Sequence, residues 1–276
     1  MNKIEVKKLT VQYRDGNGVF TALEDLSFRV EKGEFVSIIG SSGCGKSTLL
    51  GILGGLRRPD AGELSIDGKK VTGPGPDRSM VFQHYSLFPW MTARNNVAFG
   101  IRQVKKNLTR RERLSRAAVF LDRVGLENFQ NKYPGQLSGG MRQRVAIARA
   151  LAMDTEILLM DEPFGAVDAR NRTILQELLL GLWEGNCAGD IVYPPGEGPR
   201  QQDRKTVVFV THDIDEAILM ADRIIMMSNS PGKIYREITV PFARPRNRAA
   251  LVQTPEYTKL RNELLVLFFN DFGSTI

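Results

Sequence analysis

The sequence predicts an α/β fold, and three observations carry that prediction. A glycine-rich stretch, Gly40-Ser41-Ser42-Gly43-Cys44-Gly45-Lys46-Ser47-Thr48, stands between an apolar β-type run, Phe35 to Ile39, and a helix-like run, Leu49 to Leu53. Two more apolar runs of strand length end in reactive groups: Ile157 to Met160 leads into Asp161-Glu162, and Thr206 to Val210 into Thr211-His212-Asp213. Helical patterns separate these runs, and strands that alternate with helices build a parallel sheet.

Each element follows in order. Residues Ile4 to Tyr13 alternate as a strand with a slip near Lys8, and Asp15-Gly16-Asn17-Gly18 turns the chain into a second strand around Leu26 to Val30. The glycine-rich stretch fits G-x-x-x-x-G-K-[ST], a phosphate-binding loop whose inward N–H groups and following helix start make an anion site. Lys46 would reach the outer phosphates and Ser47 would hold Mg²⁺. Gly62 to Val71 reads as a hairpin centred on Asp67-Gly68. Met80 to Gln83 is a short strand ending in an amide, and Gln83 can offer its carbonyl oxygen to Mg²⁺ or bind water. Leu87-Phe88-Pro89-Trp90-Met91 is either a partner-docking segment or a locally buried loop.

A helical reading runs from Asn95 to Val124 and forms an insertion; Tyr133-Pro134 breaks it. Ser138 caps a helix from Arg142 to Ala152, and Gly139-Gly140 lets another group approach its start. Asp161, at a strand's carboxyl end, suits Mg²⁺, and Glu162 can take a proton from an attacking water. A helix spans Ala169 to about Trp183. His212, at the tip of a buried strand, can hydrogen-bond a phosphate or align water. Tyr13 offers a ring to stack on a flat base, with Phe20 as a rival.

Composition narrows the class. The chain has 276 residues, 42% hydrophobic and 25% charged, which suits a globular protein with a full core. No apolar run nears the ~18 residues of a membrane span, and Met1-Asn2-Lys3 runs straight into a strand pattern with no visible signal peptide. Two cysteines make no disulfide framework. Net charge is +7, and the densest basic cluster, Arg102 to Arg116, lacks interleaved aromatics, so it reads as a solvated helix face rather than a nucleic-acid platform.

In this order the motifs resemble those of the ATP-binding cassette (ABC) transporter ATPases, over roughly Ile4 to Ser230. The resemblance implies a P-loop NTPase (RecA-like) core with an inserted α-helical subdomain at about 85–155 and an N-terminal antiparallel β region. It also implies an ATPase domain at 1–230 and a C-terminal extension at 231–276. In this pattern Tyr13 resembles the adenine-stacking aromatic, Gly40–Thr48 the Walker A loop and Gln83 the Q-loop glutamine. Leu137–Met141 resembles the signature motif, Asp161 and Glu162 the Walker B aspartate and catalytic glutamate, Asp168 the D-loop aspartate, and His212 the switch histidine. ATP and Mg²⁺ are the implied cofactors.

The family scheme implies a head-to-tail pair in which Ser138, Gly139 and Gly140 of a second copy cover the ATP. It also implies a separate transmembrane permease, an indirect periplasmic or surface solute-binding protein, and a place on the cytoplasmic face of the membrane. Pro74–Arg78 and Leu87–Thr92 resemble the branch that imports nitrate, taurine and sulfonates. Met141 replaces the usual glutamine after the signature glycines, and the Gly- and Pro-rich stretch Glu184 to Arg204 replaces a short turn. The alternatives are a soluble ABC ATPase acting on nucleic acid or ribosomes, and a P-loop GTPase or kinase. Asn131-Lys132-Tyr133-Pro134 lacks the aspartate of a guanine-reading N-K-x-D.

Overall fold

The computed structural model describes residues 2–16, 18–184 and 204–271, so the glycine- and proline-rich insertion lies, apart from its two end residues, outside the described residues. The chain forms two compact units, Met1–Pro74 with Thr206–Ile276, and Gly75–Lys205.

The first unit opens with β1 (Asn2–Asp15) and β2 (Gly18–Glu31), an antiparallel hairpin. Ile4 and Val6 are buried, as are Leu9 and Val11, although the two pairs fall on opposite parities of the alternation. An irregularity between Val6 and Leu9 corrects the parity, with Lys8 at φ 47 and its N–H given to Ser27 Oγ at 2.9 Å. One extra residue thereby keeps all four side chains on the core face. Next come β3 (Phe35–Gly40) and α1 (Lys46–Leu53), then β4 (Ala61–Ile66) and β5 (Lys69–Lys70). The antiparallel sheet has the order β2-β1-β4-β5, and the β4–β5 turn places Asp67 at φ 50 and Gly68 at φ 72, both left-handed as a tight hairpin turn requires.

The second unit contains β6 (Arg78–Val81), α2 (Ala93–Val104), α3 (Arg110–Arg123), α4 (Gly139–Met153), β7 (Ile157–Asp161) and α5 (Ala169–Trp183). β6 and β7 pair in parallel, and α2, α3 and α4 pack on one another. The continuous helix expected from Asn95 to Val124 is two helices. Thr109 starts the second, taking the N–H of Glu112 on its side chain, while the Glu112 carboxylate takes the Thr109 N–H at 2.7 Å. This reciprocal cap satisfies donors that a continuing helix would have used, so the chain breaks there. Asp154 ends α4 in the left-handed conformation at φ 57.

The chain then returns to the first unit with β8 (Thr206–Val210), α6 (Ile214–Met220), β9 (Arg223–Met227), β10 (Ile234–Thr239), α7 (Arg248–Leu251) and α8 (Pro255–Asp271). The order is β10-β9-β3-β8, parallel except for β10. Every residue of β3 and β8 is buried, which explains their unbroken apolar runs. Phe35 and Phe209 meet across them with ring centroids 5.9 Å apart. The tail packs back on α6, burying Tyr257, Leu260 and Leu264.

Candidate nucleotide-binding site

Because β3 and β8 are parallel neighbours, with Phe35 beside Val207 and Ile38 beside Val210, the segments that leave their carboxyl ends emerge at one edge. One is the glycine-rich loop and the other is Thr211-His212, the position where open α/β sheets place ligands. Thr211 N–H donates to the Ile38 carbonyl at 3.2 Å, and His212 is exposed.

The loop's conformation demands its glycines. Gly43 sits at φ 86 and Gly45 at φ 93, where a side chain is strained, and a Cβ on Gly45 would stand 2.4 Å from Leu23 Cδ2. A Cβ on Gly40 would meet Cys44 Sγ and the Met227 carbonyl oxygen, each at 2.8 Å. Lys46 is buried, and its ammonium donates to the carbonyls of Gly40 (2.8 Å) and Ser41 (2.6 Å). Those two acceptors spare a buried cation the cost of lying bare, and they hold it inside the loop's curl. Burial pushes the Cys44 thiol up, against the pull of the neighbouring Lys46 charge. Ser42 and Ser47 are exposed, Ser47 on the first turn of α1, and Thr48 Oγ1 lies 3.0 Å from the Tyr13 hydroxyl. The Arg57 guanidinium lies 3.9 Å from the Tyr13 ring centroid. Tyr13 is 42% exposed and its cross-strand partner Phe20 51%, so both aromatics named from the sequence are accessible.

The sequence reading missed the loop's buttress. Asn229 Oδ1 accepts from the Ser41 hydroxyl, Ser230 Oγ donates to the Gly43 carbonyl at 3.4 Å, and Gly232 lies against Cys44. These three residues follow β9 and share no motif with the loop. Pro231-Gly232, a turn signal, was the sole sequence trace.

In the second unit the same strand logic recurs. β6 and β7 run side by side, so Gln83 and the Asp161-Glu162 pair leave their carboxyl ends together. Gln83 Nε2 donates to Glu162 Oε2 at 3.2 Å. Asp161 is buried, whereas Glu162 follows the strand at φ 44 and is half-buried, so the two adjacent carboxylates occupy different surroundings. Ser138 caps α4, accepting the Met141 N–H at 3.3 Å. A Cβ on Gly139 would reach the Tyr85 hydroxyl at 3.0 Å, and one on Gly140 the Ala166 carbonyl at 3.2 Å, so the glycines permit close approach at this helix start. Asp168 caps α5; the Asn171 side chain and N–H hold its carboxyl below the usual range, so it is an anion at neutral pH.

Mg²⁺ fits the donors present. In kind, the Ser47 hydroxyl of the first unit, and the Gln83 amide carbonyl and Asp161 carboxylate of the second, are each oxygen donors of the type a hard cation takes.

The family model described as "ABC transporter" matches residues 23–165, over half of the chain. Among curated proteins, the nitrate import ATP-binding protein NrtD of Synechococcus elongatus is 45% identical over 93% of this chain and 88% of its own. The bicarbonate transport ATP-binding protein CmpD of Synechocystis sp. is 43% identical over 98% of this chain and 90% of its own. Among solved structures, the ATP-binding cassette MJ0796, as a post-hydrolysis dimer bound to ADP and phosphate, superposes with a TM-score of 0.75 at 36% identity, covering 87% of this chain and all of that one. With a phosphate loop built as described and these similarities along nearly its whole length, the chain belongs to the ABC transporter family.

Proposed function

We propose that the chain is the ATP-hydrolysing subunit of an importer for a small anion of the nitrate or bicarbonate kind. It works as a pair at the cytoplasmic face of a membrane with a separate permease, which a solute-binding protein feeds. The observation that carries the reading is the loop of Gly40 to Thr48, its glycines forced and its lysine buried, together with nitrate and bicarbonate import relatives at 45% and 43% identity. No helix among the described residues is long and apolar enough to cross a membrane.

In this reading the N–H groups of the loop, including those of Ser42, Gly43, Cys44 and Gly45, take the phosphates. Lys46 exchanges its carbonyl partners for phosphate oxygens, and Tyr13 stacks on the base. Ser47, Gln83 and Asp161 would hold Mg²⁺, which would supply positive charge to offset that on the phosphate oxygens. Glu162 accepts the proton of the attacking water, and His212 steadies the departing phosphate. Ser138, Gly139 and Gly140 of the second copy close the site from outside, and Asp168 lines the seam. Phosphoryl transfer requires mainly positioning and charge stabilisation, which this set supplies.

The test is Glu162→Gln. Expected are retained ATP binding and a turnover lowered by about 10²–10⁴-fold, the worth of a general base, with an ATP-dependent dimer in size-exclusion chromatography. Wild-type turnover in this variant would reject Glu162 as the base.

A further inference from the structure

The segment after β10 grips both ends of the helix that follows His212. α6 has seven residues, too few to hold together by itself. Its last carbonyls, which no helical N–H can reach, are taken by two arginines from farther along the chain. Arg246 Nη1 donates to the carbonyls of Ile218 (2.9 Å), Leu219 (3.2 Å) and the capping residue Ala221 (2.7 Å). Arg244 donates to the carbonyl of Met220 and, through Nε, to Asp222 Oδ1 at 2.8 Å. Both cations sit at the negative end of the helix, where charge and dipole agree.

The opposite end is held from α8. Asp215, in the first turn of α6, accepts from the Tyr257 hydroxyl at 2.7 Å and from Arg261 Nε at 2.9 Å on the same oxygen. The Tyr257 ring stacks on Phe242, with centroids 6.2 Å apart, so Arg244, Arg246, Tyr257 and Arg261 form one continuous brace.

His212 is tied into that helix by its two neighbours. Thr211 Oγ1 donates to the buried Glu216 carboxylate at 2.6 Å and accepts the Asp213 N–H at 3.0 Å, while Asp213 Oδ1 accepts the Glu216 N–H at 3.1 Å. The backbone on either side of His212 therefore moves with the first turn of α6.

We propose that residues 244–261 are a clamp that positions His212, with Arg246 and Tyr257 as positioning residues for ATP turnover. The proposal rests on His212 being the phosphate contact described above. The tail thus bears on the reaction through the rigidity of α6 and touches no substrate itself.

The experiment uses the full chain and two readouts. The sequence holds two histidines, His84 and His212, so a histidine-labelled sample gives two imidazole signals, one of which serves as an internal control. Tyr257→Phe removes one hydroxyl and keeps the ring stack. Arg246→Gln removes the cation at the helix end, and Arg246→Lys restores it in part.

Expected are a displaced or broadened His212 signal, an unmoved His84 signal, and kcat lowered about three- to tenfold with KM for ATP within about twofold. Arg246→Lys should recover part of kcat. A His212 signal unchanged in Tyr257→Phe and Arg246→Gln would overturn the clamp, as would an unchanged kcat in an enzyme that loses turnover on His212→Ala. Full turnover by His212→Ala would instead reject the role given to His212, while the imidazole signal would still report whether the clamp holds it.

Discussion

Gly232 is the position where a single methyl group should be felt most directly by the phosphate loop. Its N–H donates to the Ala22 carbonyl at 2.9 Å and its carbonyl accepts the Glu24 N–H at 3.0 Å, so it cannot slide away. In Gly232→Ala the new Cβ would stand 2.1 Å from the Cys44 carbonyl oxygen, with Leu23 Cδ2 and Met227 Cε at 3.1 Å. Cβ contacts essentially never fall below 3.0 Å, and the nearest atom is backbone, so the loop must retreat by nearly an ångström. Overpacking of this kind costs about 1–3 kcal/mol. Charged to the loop geometry that receives phosphate, the cost weakens ATP binding roughly five- to hundredfold. Charged to the fold, it lowers the unfolding free energy by the same amount. A titration with a fluorescent ATP analogue, with urea unfolding beside it, reads both. Affinity within about twofold and stability within about 0.5 kcal/mol of the parent would show that the loop is not braced by Gly232.

Two further predictions concern the second unit. Asn96 is fully buried, taking the Phe88 N–H at 2.8 Å and donating to the carbonyls of Phe88, Met91 and Thr92 at 3.0–3.1 Å. Asn96→Ala strands several of these groups at once, and should cost about 2–4 kcal/mol in urea unfolding and open the 88–92 segment to protease. At Asp154, burial pushes the carboxyl up, but hydrogen bonds from Lys105 and Lys205 and their charges outweigh it, leaving the group below its ordinary value. A depressed folded value means stabilisation that is whole above the unfolded carboxylate range, near pH 4, and lost as pH falls through the folded value. Asp154→Asn should therefore lose about 1 kcal/mol at pH 7, a figure reduced for the partial exposure of the site. The difference from the parent should shrink as pH falls below about 4 and disappear once the pH lies below the folded value, as urea unfolding across that range would reveal.

The chemistry-bearing stretches were legible because each is local. The loop of Gly40 to Thr48, the strand ending in Asp161-Glu162, the Ser138 cap and His212 after a buried run all declare themselves within a dozen residues. The slip at Lys8 was legible for the same reason, since a change of parity in Ile4, Val6, Leu9 and Val11 is visible in the letters. β9 was not read, because Arg223–Met227 is five residues with an unbroken apolar run that fits a strand or a buried helix equally well. α6 went unread for want of length and pattern, whereas the chain after Pro231-Gly232-Lys233 reads as extended and forms β10. The break before Thr109 had a signal, Thr-x-x-Glu, that the helical periodicity on both sides masked. Within the site, the Asn229–Gly232 buttress and the Arg244–Tyr257 clamp join residues far apart in the chain. Such pairings are a property of the folded arrangement, with no local spacing to reveal them.

The concealment of Cys44 makes the loop its own reporter. The thiol is wholly inaccessible, lodged between Gly40 and the Lys46 ammonium. With Cys187 exchanged for serine, an alkylating reagent can reach sulfur only during moments when this turn of backbone springs outward. The speed of labelling then counts those excursions, and a nucleotide that seals the turn should slow the count in proportion to its occupancy.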